Sequence, residues 1–390
     1  MYDVTGKAVT VVKHSYFDTP GLPSVELVCF LRGRASSILF IRHPFPDATA
    51  LPLNTTIIEY APDGKISREI KAPLIRGNPI LFYIKDLIFS LYYVIMSGRK
   101  YDLYVGVDNL NCLAGLLLRI IGRVRTVAYY VIDFTPVRFQ NKVMNSIYQT
   151  INKACCYYAD VIWNVSETMI EGRESIGIRR VRSAPQITVP LGCSFEAIHR
   201  KDISNIRPHD IVYFGALRNE HGPGLIIEAL PAITAEVPDT HVVFIGDGPL
   251  KNGLTSRAEE LNVSSHVHFK GFLESVEDIY EILTRCGLAL ATYPPDDTTY
   301  KFYSDPGKVK IYLACGLPVL ITDVPPIAKI IDKRGAGTIV EYSPSSLTET
   351  VNGIFADFGR YSRMREEAIL MAKEFDWNAI WLRTFKSMNV

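Results

Sequence analysis

The stretch YSDPGKVKIYLACGLPVLITD, residues 303–323, carries the reading of the fold. Pro306 suits the first turn of a helix, Ser304 or Asp305 suits its cap, and Gly316 ahead of Pro318 suits its stop. The spacing therefore predicts a helix of about ten residues. LPVLITD (317–323) follows as a short apolar, β-branched run, the pattern of a buried strand. Helix and buried strand in alternation imply a parallel sheet with crossover helices.

The same alternation extends outward. Upstream, DIVYFGAL (210–217), HVVFIGDG (241–248), HVHFKGF (266–272) and GLALATY (287–293) read as strands, with helical patterns such as GLIIEALPAI between them. An earlier series contains AVTVV (8–12), SILFI (37–41), TTIIEY (55–60), DLYVGV (102–107), TVAYYVI (126–132) and DVIWNVS (160–166), with helical patterns from Phe139 to about Tyr158 and from Glu167. Between the two series, ITVPLGCSFEAIHRKDISNIRPHD (187–210) is polar, holds two prolines and reads as a linker. The expected fold class is α/β, with two Rossmann-like doubly wound domains facing a cleft. The expected boundaries are 1–190 for the first domain, 191–209 for the linker and 210–375 for the second domain. A helix over 376–390 would pack back toward the first domain. Ligands would meet the carboxyl ends of the strands.

The 390 residues are 48% hydrophobic and 21% charged, ordinary for a soluble globular chain. A formal net charge of +1 argues against nucleic-acid binding through whole-chain charge. The charge is uneven: residues 1–205 hold 24 Lys/Arg against 17 Asp/Glu, and residues 206–390 hold 18 against 24. Seven scattered cysteines, with no Cys-x-x-Cys pair, fit a reduced, cytoplasmic compartment. MYDVTGKAVTVVKHSYFD lacks the pattern of a signal peptide. ILFYIKDLIFSLYYVIM (80–96) is too short and too charged to span a bilayer comfortably. Asp86, Ser90 and Tyr93 form a thin polar stripe on this helix. It reads as buried between layers of the first domain, with a membrane-facing helix as the alternative.

Chemistry concentrates at the start of the 303–323 helix. First-turn amides at Gly307 and Lys308 lack intrahelical partners, the helix dipole favours an anion, and Lys308 adds a full charge. This is a candidate diphosphate cradle; the alternative is a helix whose free donors are already capped by Asp305. GALRNEHGPG (215–224) is a similar strand-to-helix turn in which Arg218 or His221 could meet phosphate oxygens. In the first domain, Asp133 follows a strand and is a candidate to orient or deprotonate an acceptor hydroxyl, or else caps the turn before Pro136. His14 occupies the same position after the first strand, and Arg138 lies near Asp133. The pair Asp296–Asp297 could hold Mg²⁺ or simply solvate a loop; no metal and no cofactor is expected.

Taken in order, VYFGAL (212–217), FIGDGPL (244–250), VHFKGFL (267–273), DPGKVKIYLACGLPVLITD (305–323), GAGTIVEYSP (335–344) and EFDWNAIW (374–381) resemble the donor-binding half of GT-B glycosyltransferases of group 1, family 4-like. TVPLGC (188–193), YYVIDFTPVRF (129–139) and ADVIWNVSETM (159–169) are similar to segments of polysaccharide-building members. The resemblance implies a retaining transferase that moves a sugar from a nucleotide-diphosphate sugar to a glycan or lipid-linked acceptor. Lys308 and the Gly307 amide would hold the diphosphate, Phe272 would border the base, and Gly215 would let the backbone approach the phosphate. Arg218 would replace a missing family cation, and Arg218 and His221 would help to stabilise the leaving diphosphate. The pattern departs at Ala216, at His221, and at Tyr303 and Ile311, where the family carries two glutamates; Asp305 would replace one carboxylate. An impaired transferase-like binding protein and a nucleotide-sugar 2-epimerase are the rival readings. The basic first half suggests docking on an anionic membrane, peripheral and on its inner face.

Overall fold

The computed structural model describes residues 2–16, 21–46, 48, 54–74, 77–295 and 300–388. The chain divides into two units, Met1–Pro190 with Trp377–Val390, and Leu191–Asp376.

In the first unit, apolar runs become strands β1 (Ala8–Ser15), β2 (Ser37–Pro44), β3 (Thr56–Tyr60), β4 (Ile66–Lys71), β5 (Tyr101–Val107), β6 (Val124–Val131), β7 (Val161–Asn164) and β8 (Gln186–Thr188). Helices α1 (Pro23–Leu31), α2 (Pro79–Met96), α3 (Asp108–Ile120), α4 (Lys142–Tyr158) and α5 (Thr168–Ser175) connect them. Strand order is β4-β3-β2-β1-β5-β6-β7-β8. Val9, Val11 and Val12 are buried, as expected where a parallel strand is covered on both faces. The sheet is not wholly parallel, correcting the sequence reading: β3 runs antiparallel to β2, and β4 to β3. The hairpin turns through Pro62-Asp63-Gly64, with Gly64 at φ 76°, a conformation glycine adopts without steric cost. β4 escaped notice because its residues are mostly exposed and polar. α13 (Trp377–Ser387) belongs to this unit. Trp381 meets Tyr130 and Trp163 edgewise or tilted, and Phe385 stacks on Phe30.

The second unit is a six-stranded parallel sheet of β9 (Arg207–Phe214), β10 (His241–Ile245), β11 (Val267–Gly271), β12 (Cys286–Ala291), β13 (Val319–Thr322) and β14 (Gly337–Val340). Its order is β11-β10-β9-β12-β13-β14. α6 (Gly224–Glu236), α7 (Lys251–Glu260), α8 (Val276–Leu283), α9 (Gly307–Ala314), α10 (Ile327–Arg334), α11 (Pro344–Phe355) and α12 (Phe358–Glu374) complete it. The order reverses between β9 and β12, the switch point where open α/β sheets place ligands. Residues 191–209 are not a free linker. Cys193, Phe195 and Ile198 enter the core of this unit, and Arg200 Nε donates to the Ala314 carbonyl at 2.7 Å.

α2 inverts the usual amphipathic arrangement. Lys85, Asp86 and Ser90 are buried, while Ile80, Leu81, Ile84, Ile88, Tyr92 and Met96 are exposed. Its polar residues face inward because they have partners there. His14 Nε2 lies 3.1 Å from Asp86 Oδ2, and His43 Nδ1 and Lys85 Nζ lie 3.1 and 2.9 Å from Asp86 Oδ1. Burial alone would raise the Asp86 carboxyl, but hydrogen bonds from His14 and His43 outweigh it and hold the group well below the usual carboxylate range. Burial pushes His43 down to about 4 despite Asp86. No helix among the described residues is long and apolar enough to cross a membrane.

Removing the carboxylate would leave the buried Lys85 ammonium uncompensated, so Asp86→Ala should lower unfolding stability by about 3–5 kcal/mol in urea titrations. His43 has a folded value near 4, below the value of about 6.5 expected for the unfolded chain, so the unfolded state binds the proton first. Stability contributed by neutral His43 should therefore be lost as pH falls from about 6.5 to 4, and His43→Gln should flatten that part of the profile. An unchanged profile in His43→Gln would contradict this.

Candidate functional site

At the switch point of the second unit, β9 ends at Phe214 and the chain passes through Gly215 at φ 141°. β10 ends alongside, and a Cβ on Gly246 would fall 2.1 Å from the Gly215 carbonyl oxygen, so the two turns approach as only glycine permits. α9 begins opposite, with Pro306 at its N-cap and no side chain capping it. Its first-turn amides remain available to an anion. Lys308 extends from this turn until its Nζ lies 4.5 Å from the Tyr213 ring centre and 4.9 Å from that of Tyr293. These two rings come from β9 and from the end of β12, so the ammonium occupies the crevice between the strands where the order reverses.

Lys308 is only half-buried as a residue, yet its Nζ is fully covered and has no hydrogen-bond partner among the described residues. The same holds for His221 Nδ1. Burial, then repulsion from Lys301, lowers Lys308 to about 7. Burial lowers His221 to about 3, with further repulsion from Lys301, Lys308 and Arg218. A covered ammonium without a hydrogen-bond acceptor, beside an uncapped helix N-terminus, is arranged to receive an anion.

Among the residues singled out from sequence, the structure brings Gly215, His221, Gly307 and Lys308 together, with Arg218 exposed at the rim. Phe272 is 69% exposed just beyond β11. It follows β11, which β10 separates from β9 and Gly215. Asp305 is a correction. Its Oδ2 accepts from the Leu191 amide at 2.7 Å and its Oδ1 pairs with buried Lys310, so neither oxygen caps α9 or faces a ligand. Ile311 packs against the core. Asp296 and Asp297 lie outside the described residues. Among the described residues, no three His, Cys, Asp or Glu gather where they could hold a metal ion. Sequence reading missed Tyr213, Tyr293 and Lys301; the tyrosines looked like core strand residues, and Lys301 sits in no motif.

Asp133 belongs to the first unit, where the strand order also reverses, between β1 and β5. It lines a cavity of about 320 Å³ with His14, Asp108 and Arg138. Asp108, missed from the sequence, has φ 65°, a strained conformation for a non-glycine residue. Burial, then the charge of Asp133, raises it to about 6. His14 is not a free loop histidine, since Asp86 engages its Nε2 and Asn111 Nδ2 lies 3.0 Å from its Nδ1.

Residues 208–357 match the family described as glycosyl transferases group 1. The match covers 150 of the 390 residues, less than half of the chain. The GDP-mannose-dependent alpha-(1-6)-phosphatidylinositol dimannoside mannosyltransferase of Mycobacterium tuberculosis is 25% identical over 192 residues, 47% of each chain. Chitobiosyldiphosphodolichol beta-mannosyltransferase of Candida albicans is 25% identical over 158 residues, 40% of this chain and 34% of that protein. The chain spans about half the length or less of these curated relatives. Among solved structures, sucrose-phosphate synthase of Thermosynechococcus elongatus superposes with TM-score 0.69 at 16% identity, covering 97% of this chain and 98% of that one. HepE of Anabaena, solved with UDP, gives 0.68 at 15% identity, covering 98% and 100%. The fold is that of GT-B glycosyltransferases.

In the second unit, the unpartnered ammonium has a measurable consequence. With Lys308 near 7, only about one-tenth of the free protein carries the charge at pH 8. Affinity for a nucleoside diphosphate should weaken up to about fifteenfold between pH 7 and 8.5 in calorimetric titrations. Lys308→Met should bind more weakly and lose that pH dependence. A wild-type affinity flat over this range would contradict the assignment.

Proposed function

We propose that this chain is a glycosyltransferase that moves a sugar from a nucleotide-diphosphate sugar to a polysaccharide or lipid-linked acceptor, with retention. The observation that carries this reading is Lys308 Nζ, covered and without an acceptor at the switch point beside an uncapped helix. As the sugar–phosphate bond breaks, charge grows on the departing diphosphate. The amides of Gly307 and Lys308, the Lys308 ammonium and Arg218 stabilise that charge, the type of interaction from which such sites gain most of their rate. His221, held neutral, donates a hydrogen bond instead of a charge. In the retaining course, the acceptor hydroxyl attacks on the face the diphosphate leaves, and the phosphate takes its proton. Asp133 and Asp108 in the first unit are the acceptor-side candidates. The relatives' names carry both alpha and beta linkages, so the anomer of the product is what an assay must read.

Asp305 supports a second reading, a binding protein without transfer. Asp305 is engaged by Lys310 and Leu191, and Ile311 stands where the family carries a glutamate, so the site lacks the expected carboxylate on the donor ribose.

UDP, GDP, ADP, CMP and dTDP and their sugars can be compared by thermal shift, since a ligand at 100 times its Kd stabilises by about 2.7 kcal/mol. With the donor found, wild-type protein should release nucleotide diphosphate. Lys308→Ala should keep its fold and lose about 2–4 kcal/mol of transition-state stabilisation, while EDTA should leave the rate within about twofold. Donor binding without turnover on any acceptor or water would favour the binding protein, and epimer formation the epimerase.

The protein is further proposed to act in the cytoplasm, docked on the inner face of the membrane. Support comes from the outward apolar stripe of α2 and from exposed Arg99, Lys100 and Arg125, with half-buried Arg123 beside them in sequence, in the basic half. Each basic residue near an anionic leaflet contributes about 1 kcal/mol. The protein should float with anionic but not neutral liposomes and be released by salt; staying soluble with anionic liposomes at low salt would refute docking.

A further inference from the structure

The cavity of about 320 Å³ in the first unit falls within the size range of small-molecule sites, roughly 300–1,000 Å³. Its walls and its polar groups come from different elements. Ile84 and Leu87 of α2, Leu113 of α3, and Met144, Ile147 and Ile151 of α4 supply the apolar surface. His14 in β1, Asp108 at the end of β5, and Asp133 and Arg138 beyond β6 bring the polar atoms from the strand-end side. Ile80 and Ile84 line the cavity and also belong to the exposed apolar face of α2.

We infer that this cavity binds a single amphiphile, with its apolar chain between α2 and α4 and an uncharged, hydroxyl-bearing head at Asp108, Asp133 and Arg138. Charge selects the head. Two carboxylates face one guanidinium there, and both His14 ring nitrogens are already engaged, so a phosphate at this position would meet more negative charge than positive. Sugar or glycerol hydroxyls can instead donate to both carboxylates and accept from Arg138. The strained backbone of Asp108 holds its carboxylate at this junction, where the Ile132 amide donates to it. A head so placed would carry the acceptor hydroxyl of the proposed transferase, and that assignment alone rests on the transferase reading; the chain site stands without it.

Alkyl β-glucosides from hexyl to decyl, each below micelle formation, test the inference by calorimetry with the full chain. Affinity should rise about fourfold per added methylene, glucose alone should bind at least tenfold more weakly than decyl glucoside, and so should decyl phosphate. Ile151→Trp, which fills the cavity, should cut decyl glucoside binding at least tenfold and leave nucleotide binding in the second unit within twofold. Ile88→Asp, on the exposed face of α2 outside the cavity, should leave both unchanged. Affinity independent of chain length, tighter binding of decyl phosphate, or full binding by folded Ile151→Trp would each overturn the inference; if that variant does not fold, the wild-type chain-length series decides. Glucoside binding without any nucleotide binding would defeat the transferase reading and leave this site intact, and the reverse result would defeat this site alone.

Discussion

Asp305 stands before two lysines of one short helix, Lys308 and Lys310, which point about 200° apart around its axis. A single carboxylate in the loop ahead of the helix serves only one of them. It serves Lys310, whose ammonium is wholly buried, and it also accepts the Leu191 amide, binding the entry of the unit to the start of α9. Without that pair, Lys310 would be an uncompensated buried charge, a loss on the order of 3–5 kcal/mol. The consequence reaches the site: the helix N-terminus stays uncapped, and Lys308 is left in a crevice between two tyrosine rings with no acceptor. The proposed anion binding rests on an imbalance fixed by core packing.

The two units use one topological device for different chemistry. In each, the strand order reverses beside the first strand of the sheet, which opens a crevice at the carboxyl ends. The second unit fills its crevice with cations and glycine turns. The first fills it with carboxylates, an arginine and an apolar chamber between helices. These local charges are opposite in sign to the net charges of the two halves.

Inversion of α2 belongs to the same logic. Asp86 is held inside by two histidines and Lys85, so the apolar residues of a helix rich in them are turned outward. Several then line the cavity, and the rest continue as an exposed stripe. A polar network in the interior thereby creates apolar surface outside, where amphipathic periodicity by itself would have placed water.

Much was legible in the sequence. The alternating β-branched runs specified parallel α/β units because buried strands need continuous apolar residues, and Pro306 and Gly316 bounded α9 through their own backbone preferences. Gly215, Gly307 and Lys308 could be singled out as candidates because a phosphate cradle would need bare amides at a strand-to-helix turn, and the structure brings them together. Tertiary structure alone decided the rest. Asp305 could be a cap, a ligand or an ion-pair partner until Leu191 and Lys310, far and near in sequence, reached its two oxygens. The polar stripe of α2 had no preferred direction until His14 and His43 arrived from other strands. Asp108 drew no attention because its strained backbone and its proximity to Asp133 and Arg138 arise only when β5 and β6 pair. Local sequence specifies backbone geometry, whereas the partner of a buried charge comes from elsewhere in the chain.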